Sequence, residues 1–178
     1  MSRNRLAILL VVVLTACRPA ADTTPLPVET APEPGAPTPD VEADVVSTLQ
    51  TLFDALASGD AELLRGVVDP DILMRYAETN AGGETTFGSS TLDGLAERVT
   101  TSPAPLVERM WQPVVRVSGS MATIWTEYDF YVGTTFSHCG VDAATLMQTE
   151  DGWKIVTLSW TRMQPPACDL HPDGPPAG

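Results

Sequence analysis

The stretch Ala122-Thr123-Ile124-Trp125-Thr126-Glu127-Tyr128-Asp129-Phe130-Tyr131-Val132 is dense in β-branched and aromatic residues and largely alternates apolar with polar side chains. Period-two patterning of this kind marks a strand with one face against a core. The same pattern recurs on either side, over Val107 to Val117, Val141 to Thr149 and Trp153 to Met163. Ser118-Gly119-Ser120, Gly133 and Asp151-Gly152 punctuate these runs, and Asp-Gly is a strong two-residue hairpin signal. Four consecutive strands with short connections predict an antiparallel sheet.

Upstream the period changes to that of a helix. Val45, Val46, Leu49, Leu52, Phe53 and Leu56 fall on one helical face, and Gly59 stands where a C-terminal cap belongs. Asp60 is placed to cap a second, short helix through Leu63, Leu64, Val67 and Val68, which ends near Asp69-Pro70. Asn80 to Gly88 reads as a loop, and Ser90 or Thr91 can cap a third helix carrying Leu92, Leu95 and Val99. Helices first and strands later predict an α+β domain with the helices segregated on one face of the sheet.

The N-terminus carries an export signal. Arg3 and Arg5 precede an unbroken apolar run from Leu6 to Leu14, which is far shorter than the roughly 20 residues that span a bilayer. Leu14-Thr15-Ala16-Cys17 resembles the bacterial lipobox, which implies diacylglyceryl attachment to Cys17 and cleavage before it. More than one acyl chain is needed for stable anchoring, since one alone binds only marginally. Arg18, where an Asp would imply inner-membrane retention, points to the outer membrane in a Gram-negative cell. Residues 17–40 hold Pro at 19, 25, 27, 32, 34, 37 and 39 with little large apolar content, the composition of an extended tether. The expected organisation is a signal peptide over 1–16, the lipidated Cys17 and tether over 17–40, a folded domain over 41–168 and a disordered tail over 169–178.

Removing Arg3 and Arg5 leaves eight cationic side chains against 23 acidic ones, a formal charge of −15. That excludes the electrostatics of nucleic-acid binding and of docking to anionic lipid. The membrane is a partner only through the lipid.

The helix ending in Ser58-Gly59-Asp60, a short helix, a third helix and a meander closing with Asp151-Gly152-Trp153-Lys154-Ile155 together resemble the nuclear transport factor 2-like (SnoaL-like) superfamily. Trp125 to Tyr131 and Phe136-Ser137-His138-Cys139-Gly140-Val141-Asp142 are similar to an exported bacterial branch of it. The resemblance covers about residues 44–163. It implies a cone-shaped fold, with a curved sheet wrapped around the helices to leave an interior pocket, and often a homodimer through the outer face of the sheet. It implies no one activity. Enzymes of the superfamily use a carboxylate base or a His-Asp pair with a facing Tyr or Asn donor, so His138, Asp142 and Tyr128 are the candidate catalytic residues. Glu127 and Asp129 alternate with Tyr128 and Phe130 and belong to the other face, toward solvent or a dimer partner.

With Cys17 lipidated, Cys139 and Cys168 remain as an even pair in an oxidising compartment, which predicts a disulfide. The same region offers a second reading: His138, Cys139, Cys168 and His171 contain two His and two Cys, a zinc-type donor set. Adjacent strand residues point to opposite faces, which argues against His138 and Cys139 sharing an ion. The aromatics gathered in the sheet half suggest a small apolar ligand site, with Trp111, Tyr128, Phe130 and His138 as its expected lining. There is no nucleophile elbow, phosphate-binding glycine loop or zinc-protease helix, and nothing calls for a cofactor or a metal. Binding of a small apolar molecule or an envelope partner, without catalysis, is the leading expectation. An acid-base enzyme of isomerase or dehydratase type, and a dimeric assembly module, are the alternatives.

Overall fold

The computed structural model describes residues 39–177; Cys17, the lipobox and the tether up to residue 38 lie outside the described residues. Helix α1 (Pro39–Ser58) buries Val45, Leu49, Leu52, Phe53 and Leu56, the face its periodicity predicts. Each such side chain contributes about 1.5–3 kcal/mol of hydrophobic stabilisation. Gly59, at φ 72°, ends the helix in the left-handed region that glycine enters at least cost. Asp60 then caps α2 (Ala61–Val67), its Oδ1 accepting from the Glu62 and Leu63 backbone N–H groups at 3.0 and 2.9 Å. Asp60→Ala is expected to cost about 1 kcal/mol in chemical denaturation, with the slope against denaturant unchanged.

Strands β1 (Val68–Thr79) and β2 (Thr85–Ser90) follow, then α3 (Leu92–Thr101), capped by Thr91. The meander comprises β3 (Leu106–Ser118), β4 (Met121–Val132), β5 (Thr135–Thr149) and β6 (Gly152–Arg162). All six form one curved, unclosed sheet in the order β2-β1-β6-β5-β4-β3, with the helices on its concave face.

Three details depart from expectation. The segment read as a loop contributes β2: only residues 80–84 turn, and Thr85 to Ser90 pair antiparallel with β1. β1 itself pairs parallel to β6, so the sheet is antiparallel everywhere except at that one junction. Thr149 pairs with Gly152, which makes Glu150-Asp151 the hairpin loop and shifts it one residue from the Asp-Gly dipeptide.

The C-terminal residues, expected to trail away, fold back on the convex face. Cys139 and Cys168 form a disulfide across 5.8 Å between Cα atoms. Beyond it, the His171 N–H donates to Asp129 Oδ2 at 3.0 Å, and Arg109 Nη1 donates to the Gly174 carbonyl at 2.7 Å. Arg109 also grips Asp129 in a two-pronged ion pair, at 3.0 and 2.6 Å. Asp129 lies on the face away from the core, as its alternation predicts, yet it is fully buried under this strap. A buried carboxylate is tolerable there because Arg109 and a backbone donor satisfy it. The disulfide also takes up both thiolates that a zinc site at these residues requires.

Candidate functional site

Strand alternation sends Tyr128 and Phe130 of β4 and His138 and Asp142 of β5 to the concave face. There they line one cavity of about 230 Å3, together with Glu108 of β3 and Arg162 of β6. Leu52 and Leu56 of α1, Met74, Leu95, Leu106 and Leu158 give the cavity an apolar body. Arg98 of α3 and the Ser89 and Ser90 positions of β2 complete its wall. A Cβ on Gly140, between His138 and Asp142, would lie 2.3 Å from the Thr161 carbonyl oxygen, so a glycine is needed for β6 to approach here. That approach fixes two contacts: the Val141 N–H donates to Thr161 Oγ1 at 3.0 Å, and the Tyr128 O–H donates to the Thr161 carbonyl at 2.6 Å.

The polar end of the cavity is dominated by two acids. Burial pushes the Glu108 carboxyl well above the usual carboxylate range, and the neighbouring Asp142 pushes it further; Arg162 and Arg98 pull the other way without reversing it. Asp142, 2 % exposed, is raised by its own burial to about 7, with a hydrogen bond from Glu108 moderating the rise. Glu108 therefore keeps its proton and donates it to Asp142, the arrangement in which two adjacent carboxyls coexist without water. Among the described residues Asp142 Oδ2 itself has no hydrogen-bond partner.

His138 is stacked on Phe130 at 4.9 Å between ring centroids and meets Tyr128 edge-on at 5.7 Å. Burial first, then Arg162 and Arg98, lower its pKa to about 4, so the imidazole is neutral at physiological pH. Its Nδ1 pairs with the Ser137 hydroxyl at 2.9 Å. Burial, reinforced by the negative charge of the acid pair, raises the Tyr128 phenol out of any physiological range.

A protein family described as "Putative lumazine-binding" matches residues 40–161. The chain belongs to this family. No curated protein matches it. Among solved structures, a nuclear transport factor 2-like superfamily protein from Salmonella enterica superposes with a TM-score of 0.56 at 14% identity, covering 73% of this chain and 96% of its own. A nuclear transport factor 2-like protein from Cytophaga hutchinsonii gives 0.54 at 15%, covering 68% and 98%. A third, described as a "putative dehydratase" from Streptomyces avermitilis, gives 0.51 at 16%, covering 71% and 99%. At these identities the likeness is one of fold, and the fold of this family member is nuclear transport factor 2-like.

Of the residues singled out from sequence, Tyr128, Phe130, His138 and Asp142 share the cavity, and Trp111 does not. Trp111 sits on the convex face, where its ring meets His171 edge-on at 5.4 Å, because β3 presents Glu108 and Met110, not Trp111, to the inside. The expected pairing of His138 with Asp142 is replaced by Glu108 with Asp142. Tyr128 is also not a free acid, since its proton is held by Thr161. Sequence reading missed Glu108, Arg98 and Arg162, and period two on β3 and β6 was the signal that could have found the strand pair. Glu108 alternates with the core residue Leu106, and Arg162 follows Leu158 and Trp160 on one face.

Proposed function

We propose that this domain binds a compact small molecule in the concave cavity, as the folded part of a cell-envelope lipoprotein anchored through Cys17 and spaced from the membrane by residues 17–40. The carrying observation is the acid pair Glu108–Asp142, of which Asp142 is fully buried and Glu108 partly so. Two adjacent carboxyls taken from water on the wall of a cavity cost stability, and such a cost is retained where a site uses it. The family's description, which names a ligand, supports the reading. The disulfide fits the oxidising compartment that the lipobox calls for. If the cell is Gram-negative, Arg18 after the lipidated cysteine supports outer-membrane placement.

The test is native mass spectrometry of the full chain purified from membranes in detergent. Expected are the diacylglyceryl mass at Cys17, lost in Cys17→Ala, and a small-molecule adduct lost in Leu95→Trp, which fills the cavity from its half-buried α3 wall. An adduct that persists in Leu95→Trp overturns the cavity as the site.

The same acid pair favours a second reading, acid-base catalysis. A carboxyl that exchanges its proton near neutral pH within reach of a bound molecule has the property a general acid or base needs. Turnover of the co-purified molecule, abolished in Asp142→Asn, separates catalysis from binding. On the convex face, Phe87 and Trp125 are 82% and 57% exposed. They support the third expectation, a homodimer, which the same spectrum reads as a doubled mass.

A further inference from the structure

The charge balance of the cavity identifies the kind of molecule it takes. The whole chain carries −13, with ten Lys and Arg against 23 acids, yet two of the ten face this one cavity. Arg162 is three-quarters buried, and among the described residues its Nε has no hydrogen-bond partner. Its one ionic neighbour there is Glu78, at a long 3.7 Å and half-exposed, while its guanidinium lies over the Tyr76 ring at 4.3 Å. No carboxylate of the described residues lies within ion-pair distance of Arg98.

The acids on the wall, Glu108 and Asp142, share a proton and offer at most one negative charge near neutral pH. His138 is neutral and Tyr128 keeps its proton. Among the residues that line the cavity, two guanidiniums therefore face one carboxylate, and the buried Arg162 Nε–H without an acceptor costs free energy until something supplies one. Planar guanidinium groups match carboxylates in geometry. On the wall itself the excess is a single charge, Glu78 standing outside it and half-exposed, and the remaining wall is mostly leucine, methionine and aromatic side chains, which suits a singly charged headgroup on an apolar body better than a heavily hydrated dianion such as a phosphate.

Resting on the reading of the cavity as a ligand site, we infer that its ligand is a compact monocarboxylate, with the anionic head held by Arg162 and Arg98 and the apolar body against Leu52, Leu56 and Leu158.

The test is calorimetric titration of the full chain in detergent with three probes of one size and shape: cyclohexanecarboxylate, cyclohexanecarboxamide and cyclohexylmethylamine. The carboxylate is expected to bind at least tenfold tighter than the amide, with the amine weakest. Arg98→Gln, at an exposed position of α3, is expected to weaken the carboxylate about tenfold and leave the amide unchanged, with its circular dichroism matching the parent. Arg162→Gln is expected to do more, with its circular dichroism matching the parent. Equal or tighter binding of the amide or amine, lost in Leu95→Trp, overturns the carboxylate inference and leaves the cavity standing as a site. Failure of all three probes, or carboxylate binding that survives Leu95→Trp, overturns the inference; where the co-purified adduct also survives Leu95→Trp, the ligand-site reading falls as well.

Discussion

The double variant Cys139→Ala/Cys168→Ala is expected to be less stable than the oxidised protein by about 3.6 kcal/mol, the chain-entropy value for a closed loop of about 29 residues. In a domain of this size that is a fall of roughly 10 °C in melting temperature. The effect has two sources. In the unfolded chain, the bond removes conformations that the variant regains. In the folded chain, Cys168 positions the residues that follow it, from which the His171 N–H reaches Asp129 and the Gly174 carbonyl reaches Arg109. With the strap free to leave, the fully buried Asp129 keeps only Arg109 and takes up water. Guanidinium titrations of the parent, the parent with reductant and the double variant decide the matter. The reduced parent should coincide with the variant, and a variant as stable as the oxidised parent would show that the strap adds nothing to the fold.

The helices were the readable half of the chain because their signals are local. The apolar stripe of α1, Gly59 at its end and Asp60 and Thr91 as caps each act within one or two turns, and all four stand where the sequence puts them. The meander was readable for the same reason, its strands being joined by short turns. β1 was not, because Asp69-Pro70-Asp71 is a stop signal for the helix before it and its partner β6 lies some 80 residues further on, in parallel register. A parallel pairing leaves no turn in the sequence to announce it. The cavity followed the same division. Alternation along β4 and β5 places Tyr128, Phe130, His138 and Asp142 on one face without help. Which acid meets Asp142 depends on the concave face being closed by β3, an event between strands that no local pattern encodes. Trp111 shows the converse. Its size suggested a pocket wall, but a single step of register decides its face, and β3 gives the inside to Glu108 and Met110.

Asp142→Asn is expected to stabilise the protein at pH 8 and to have little effect near pH 4. The Asp142 carboxyl titrates at about 7 in the folded protein, against 3.8 when unperturbed. Its folded pKa is raised, so the folded state holds the proton more tightly than the unfolded chain does. The cost of ionising it is absent below the unfolded value, grows as pH climbs between the two and is complete above about 7. A rise from 3.8 to about 7 corresponds to about 4 kcal/mol, an upper figure, since the amide oxygen accepts the Glu108 proton less strongly than the ionised carboxylate does, by about 1 kcal/mol. A net gain of about 2–3 kcal/mol above pH 7 is therefore expected. His138 works in the opposite direction. With a folded value of about 4 against 6.5, it removes stability as pH falls between those two values, but it does so equally in parent and variant and cancels in their difference. Urea midpoints for both proteins from pH 4 to 8.5 give that difference directly, and a difference independent of pH would mean that Asp142 is ionised throughout. The same titration bears on the ligand. Each proton the acid pair loses adds a negative charge opposite Arg98 and Arg162, so carboxylate affinity in the parent should fall between pH 6 and pH 8 and in Asp142→Asn should stay level. A variant that is sturdier at pH 8 and has lost the pH response of binding would mark Asp142 as a residue kept for what it does to the cavity, at the expense of the fold.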